Sequence, residues 1–319
     1  MRLNKETIMP PVISEAPEAS SPPSESHVDD SIPVVPLRHP IRKAAAILLL
    51  VLAAAAAWNV ATNRRFGWDV VVTYLLSPEI LRGALLTVVL TVISMIAGIA
   101  LGTVLAVMRI SDNPIVSRIS RGFIWFFRGT PLLVQLIFWY NIAALFPTVS
   151  IGIPFGGPDF VIGSANSLIT PLAAALLGLS LNEAAYMAEI IRGGIGSVDT
   201  GQYDAAQALG MNNIQLMRRV VLPQAMRVVL PPTGNEVISM LKATTLVSVL
   251  AISDLLYSAQ IIYSLNYRTI PLLIVASCWY LLMTSILSYF QKKLENHYGR
   301  GFAIPTTTKR RWLALGRAK

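Results

Sequence analysis

The 319-residue chain contains a single cysteine, Cys278, and only 13% of its residues are charged. One cysteine excludes an internal disulfide framework and any CxxC metal site. Soluble domains carry about 25% charge, so this deficit excludes an ordinary cytosolic enzyme. A hydrophobic fraction of 54% excludes a disordered scaffold in turn. No Gly-Lys pair occurs anywhere, hence there is no P-loop to cradle a nucleotide. With no metal-ligand spacing and no catalytic triad either, no catalytic, metal or cofactor-binding residue is expected on this chain.

What is present is apolar sequence. Six stretches, at about 44–61, 83–108, 131–146, 168–191, 228–252 and 271–289, approach the roughly 20 residues that a spanning helix needs. They predict an all-α, polytopic membrane bundle of about six spans. The first begins too deep in the chain for a usual secretory signal and reads as an uncleaved anchor. Trp58, Phe66, Trp68 and Tyr74 follow it as an interfacial aromatic belt would. Gly98 and Gly102 in the second predict close helix packing.

The net charge of +9 divides into −4 over residues 1–37 and +13 over the rest. The first segment holds seven prolines, six serines, six acids and two bases, a composition that reads as a disordered acidic tail. Elsewhere, bases gather before the first stretch, between the second and third, between the fourth and fifth, and after the sixth. With six spans those segments share one side, which then holds 21 bases against four opposite: Arg64, Arg65, Arg82 and Arg268. The positive-inside rule places the base-rich side, and both termini, in the cytoplasm. The basic balance therefore reports orientation, and no nucleic-acid partner is expected.

The segment from Ser197 to Pro223 lies on that side. Asp199 or Thr200 can cap a short helix, Gly210 can end it in a left-handed turn, and Asn212 or Asn213 can cap a second. Pro223 suits the first turn of the next helix. The prediction is a helix–glycine–helix elbow in which Ala205 and Ala206 offer a patch of small side chains for another protein to approach.

This elbow resembles the "EAA" loop of ABC-importer permeases: EAA, three residues, Gly, nine residues, I-x-L-P. Asp204, Ala205, Ala206, Gly210, Val220, Leu222 and Pro223 fall on that pattern, with Asp204 for Glu and Val220 for Ile. Further stretches resemble the polar amino acid (histidine/glutamine-type) branch: Arg128-Gly-Thr-Pro131 with Gln135, Ala185-Tyr186 with Glu189 and Arg192, Gly201-Gln202, Leu222-Pro-Gln-Ala225, and Lys242-Ala-Thr-Thr-Leu246. Ala243 and Thr245 depart from the polar residue and serine usual there.

The resemblance implies a dimeric pore in the bacterial inner membrane, with a second permease subunit, the same or homologous. A solute-binding protein would dock outside, and ATP-binding cassette ATPase subunits would grip the elbows inside. ATP would be used by that partner, and this chain would bind no cofactor. The implied division is an acidic tail at 1–37, an extra anchor and outer loop at 38–82, a five-span permease core at 83–294 with its coupling loop at 197–223, and a basic cytoplasmic tail at 295–319.

Polar residues at membrane depth are candidates for the substrate path, because ionisable groups there face a bundle interior or aqueous cavity. Glu183, with Asn182 beside it, lies in the fourth stretch; Asn235, Ser239 and Lys242 make a stripe at helical spacing in the fifth. Glu183 would face the ammonium of an amino acid and Lys242 its carboxylate. The alternative at these positions is an internal ion pair that only fixes packing. Glu189 and Arg192, three apart, are expected to pair with each other, and Arg128 reads as a topology anchor. The base-free loop at 147–167, rich in Pro and Gly, reads as a turn-rich outer segment for the binding protein, and 253–270 as containing an interfacial helix.

The expected function is therefore the permease subunit of a binding-protein-dependent amino acid importer. One alternative is another small solute in the same importer class. The others are an ATP-independent secondary transporter, expected to show inverted repeats or broken midplane helices, and a structural membrane subunit, which would leave the elbow unexplained.

Overall fold

The computed structural model describes residues 40–152 and 159–298. The acidic tail expected at 1–37, most of the basic tail at 295–319, and Pro154, Gly156, Gly157 and Pro158 of the outer loop lie outside the described residues.

Helix α1 (Pro40–Thr62) is apolar on every side, and none of its spanning window is buried within the chain. A helix of that kind belongs in hydrocarbon. A 3-10 turn at Arg64–Phe66 and left-handed Gly67 lead to α2 (Trp68–Leu75). Phe66 stacks on Trp68 with ring centroids 5.8 Å apart, and Trp68 Nε1 donates to the Val60 carbonyl at 3.1 Å. The aromatic group thus ties the end of α1 to the rest of the chain.

Helix α3 (Pro78–Ile110) starts on the Ser77 cap with Pro78 in its first turn. Helix α4 (Pro114–Gly129), capped by Asn113, and α5 (Leu132–Tyr140) follow. Beyond them come an antiparallel hairpin of β1 (Thr148–Gly152) and β2 (Asp159–Ser164), bulged between Val149 and Ser150, and a single turn, α6 (Ala165–Leu168). Helix α7 (Pro171–Gly196), capped by Thr170, leads into the elbow helices α8 (Thr200–Ala208) and α9 (Asn213–Leu216). A π-helical turn, Met217–Val221, joins α9 to α10 (Leu222–Ala243), which continues as a 3-10 run, Thr244–Leu250. Helices α11 (Leu255–Asn266) and α12 (Thr269–Tyr298) complete the described chain.

Among the described residues four helices, α1, α3, α7 and α12, are long and apolar enough to cross a membrane alone, and six spans result only if two bent pairs each count as one. The all-α membrane bundle stands, but two of the six expected stretches are not straight spanning helices. The stretch at 131–146 supplies only the nine residues of α5, set at 102° to α4. The cause is Pro131, which forces Thr130 into extended backbone (φ −112°, ψ 145°) and halts α4. The stretch at 228–252 breaks near Ala251, a left-handed alanine at φ 55°, with a bend of 45° before α11. Buried Asp254 caps α11 by accepting from the Tyr257 N–H at 2.9 Å, and the Tyr280 hydroxyl donates to its other oxygen at 3.4 Å. A broken helix, expected only of a secondary transporter, is therefore present here as well. The loop at 147–167, expected as a turn-rich segment, carries the β1–β2 hairpin.

Helices α3 and α7 form the most extensive pair of the fold. Leu90, Met95, Leu136, Leu179, Met240 and Val247 make one core around them, and Ile80, Leu255, Leu272 and Val275 a second beneath α11 and α12. The elbow has its own small core of Val198, Ala206, Leu216, Val221 and Ala225.

Candidate docking elbow and intramembrane carboxylates

The elbow is assembled by local rules. Asp199 accepts from the Gly201 N–H at 2.7 Å and starts α8. Gly210 ends that helix in the left-handed region at φ +74°, with open space where a β-carbon would point. Asn212 then forms a reciprocal capping box with Gln215, its Oδ1 accepting from the Gln215 N–H at 2.9 Å while Gln215 Oε1 accepts from the Asn212 N–H at 3.1 Å. Pro223 occupies the first turn of α10. Each of these positions was readable because a cap or turn needs only its neighbours.

The two alanines do not share a patch. Ala205 is exposed, whereas Ala206 is buried in the elbow core against Leu216 and Val221. The small size of Ala206 serves the packing of α8 onto the π-helical turn that leads into α10, and of the two alanines Ala205 is the one open to a partner. Asp204 and Leu222 are exposed beside it, and Val220 is half-buried. The surface also carries two apolar side chains that sequence reasoning missed, Leu209 (77% exposed) and Ile214 (71%). Only the packed elbow decides which apolar residues face out, and neither the run around Leu209 nor the polar neighbours of Ile214 report it.

Within the bundle, Glu183 is 3% exposed, lies against Gly98 of α3, and leaves Oε1 without a hydrogen-bond partner. Ser94, one turn before Gly98, likewise has an unpartnered buried hydroxyl. Glu236 of α10 is close enough for its charge to act on Glu183. Sequence reasoning passed over Glu236, although the criterion that selected Lys242, an ionisable group inside an apolar stretch, applies to it equally.

The other expected path residues divide. Asn182 is committed to structure: its Nδ2 donates to the Phe127 carbonyl at 3.0 Å and to Gln135 Oε1 at 3.2 Å. Gln135 Nε2 in turn donates to the Phe127 and Thr130 carbonyls and to Thr130 Oγ1. Together they satisfy backbone acceptors freed where α4 breaks, as non-helical backbone at membrane depth requires. Asn235, Ser239 and Lys242 lie on an exposed face of α10 and do not close a cavity with Glu183; Asn235 accepts from Gln291 Nε2 at 2.9 Å. No Glu183–Lys242 ion pair forms among the described residues, where the ion pairs are those of Glu189 with Arg192 and with Arg109. Arg192 reaches Glu189 at 2.7 Å and Arg109 at 3.8 Å, and Arg128 sits 5.2 Å from the centre of the Tyr186 ring, where a cation–π contact forms.

Residues 98–300 match the family described as "Binding-protein-dependent transport system inner membrane component". An arginine transport system permease protein of Corynebacterium glutamicum is 46% identical over 286 residues, 89% of this chain and 88% of that protein. That match leaves too few residues outside it to miss the segment of α1. A nopaline transport system permease protein of Agrobacterium fabrum is 39% identical over 211 residues, 66% of this chain and 84% of the other. Among solved structures, an amino acid ABC transporter crystallised with histidines superposes with a TM-score of 0.59 at 35% identity, covering 69% of this chain and 94% of that one.

Proposed function

The chain belongs to the family of binding-protein-dependent transport inner membrane components, and from that membership we propose that it is the permease subunit of an ATP-driven amino acid importer. It lines the translocation pore with a second permease subunit, and it receives substrate from a solute-binding protein at the hairpin side. The ATPase is a separate polypeptide, consistent with the absence of any Gly-Lys pair here. Both termini and the elbow lie in the cytoplasm by the distribution of bases.

The observation that carries this reading is the elbow. Between two membrane helices it presents Asp204, Ala205, Leu209, Gly210 and Ile214 on its outer surface. Exposed apolar side chains around a small residue, with a carboxylate at the edge, suit a groove on a soluble partner. A carrier working without ATP has no use for such a surface. Motion of the partner reaches the bundle through Pro223 and α10, which is continuous with the elbow through the π-helical turn.

An amino acid substrate fits the pair of carboxylates. Glu183 and Glu236 place two carboxyl groups near α3, α7 and α10, polar groups of the kind that take up an ammonium or a cationic side chain at membrane depth. The names of the relatives, arginine and nopaline permeases, point to the same class. The test is ATPase stimulation and uptake in a reconstituted complex across an amino acid panel. Stimulation by amino acids, basic ones foremost, is expected in the presence of the binding protein; stimulation only by sugars or inorganic anions contradicts an amino acid importer.

A further inference from the structure

A groove of about 970 Å³ runs between α10 and α12, away from Glu183 and from the elbow's outer surface. Gln291 forms its floor, donating from Nε2 to Asn235 Oδ1 and to Glu295 Oε1, each at 2.9 Å. Its upper walls are apolar, formed by Val237, Leu287 and Phe290. Its lower end is cationic through Lys292 and Lys293, and His297, which also lines it, is shared with an adjoining groove that Arg227 of α10 lines. Glu295 is the acid on this stretch of α12, and its Oε1 is already held by Gln291. The lower end therefore carries net positive charge, at the elbow end of the bundle, where α10 begins.

We propose that this groove binds one anionic phospholipid, its headgroup phosphate between Lys292, Lys293 and Arg227 and an acyl chain along Val237, Leu287 and Phe290. The two halves of the groove match the two halves of such a molecule, and a basic pocket between helices at the cytoplasmic end of a bundle is the setting in which anionic headgroups are held. Tyr289 and Phe290, 67% and 60% exposed, lie on α12 just before the bases Lys292 and Lys293, the order in which aromatic side chains and bases occur at a membrane interface. A second copy is a poorer occupant: an isologous contact over this groove brings two sets of the bases Lys292, Lys293 and Arg227 into one interface.

The full complex, reconstituted in nanodiscs of mixed phosphatidylglycerol and phosphatidylcholine, is released and analysed by native mass spectrometry. Phosphatidylglycerol is expected to be retained over phosphatidylcholine. The triple variant Arg227→Gln, Lys292→Gln, Lys293→Gln should lower that preference by roughly tenfold. Leu287→Trp, which fills the apolar half without changing charge, should lower retention as well. Arg118→Gln with Arg121→Gln, bases on α4, should leave it unchanged. Equal loss in that α4 variant makes the effect one of general surface charge and overturns the site. Retention that Leu287→Trp leaves intact while the permease pair dissociates makes the groove a subunit interface and also overturns it. Retention that appears only after removal of residues 1–37 identifies the acidic tail as the groove's occupant and overturns the lipid site too.

Discussion

Glu183 fills the space that Gly98 leaves: a β-carbon at position 98 would sit 2.6 Å from Glu183 Cγ. Helices α3 and α7 pack closely enough that this glycine and this carboxylate are chosen together. Gly98→Ala must displace a buried side chain, and overpacking of this kind costs about 1–3 kcal/mol. Adding Glu183→Ala should recover much of that loss. Thermal unfolding of the four proteins of a double-mutant cycle in detergent measures it, and strictly additive effects would show that the two residues do not compete for space.

A second prediction concerns the break between α4 and α5. Asn182 and Gln135 share the Phe127 carbonyl, and Asn182 also donates to Gln135 Oε1. Asn182→Leu removes both donations within the bundle, and an unsatisfied buried acceptor costs about 1–3 kcal/mol. The variant should unfold at lower temperature while substrate-stimulated ATPase per folded complex stays near the parent level. Unchanged stability with lost transport would instead return Asn182 to the substrate path.

The adjacent alanines of the elbow should behave oppositely. Ala206→Leu forces a large side chain into a packed cluster with Leu216 and Val221 and should expose the elbow to protease. Ala205→Leu, on the exposed face, should leave protease resistance intact and weaken ATPase capture. Limited proteolysis and co-purification of the ATPase separate the two effects.

For the carboxyl groups, Glu183→Gln and Glu236→Gln replace a group that can ionise on meeting a cationic substrate by a neutral amide of nearly the same shape. Each should reduce uptake of basic amino acids by at least about tenfold, as expected for a lost charged contact of about 1.5–3 kcal/mol. Neutral amino acids should be affected less. Uptake that is unchanged for every substrate in both variants would remove the carboxylates from the path.

What could be read from sequence was what depends on near neighbours. Asp199, Gly210, Asn212 and Pro223 occupy their expected cap and turn positions, and the runs behind α1, α3, α7 and α12 were plain in hydropathy. The bend at Thr130–Pro131 is locally encoded by the proline and forms, although the apolar run after it reads in hydropathy as a span of its own. Asn182 finds the Phe127 carbonyl 55 residues away, a pairing that no periodicity reports. The inward turn of Ala206 and the outward turn of Leu209 and Ile214 depend on how α8 and α9 settle on α10, which the motif pattern does not contain.

The most direct measurement is of the elbow itself: ATPase capture and coupled uptake by a Gly210→Val permease, beside Asp204→Lys, in reconstituted vesicles. Valine at φ +74° is strained by about 1–3 kcal/mol, and the lysine reverses the charge at the edge of the exposed surface. A docking elbow predicts normal membrane insertion, weakened ATPase capture and loss of ATP-coupled uptake in both. Insertion, capture and uptake all at the parent level would contradict it.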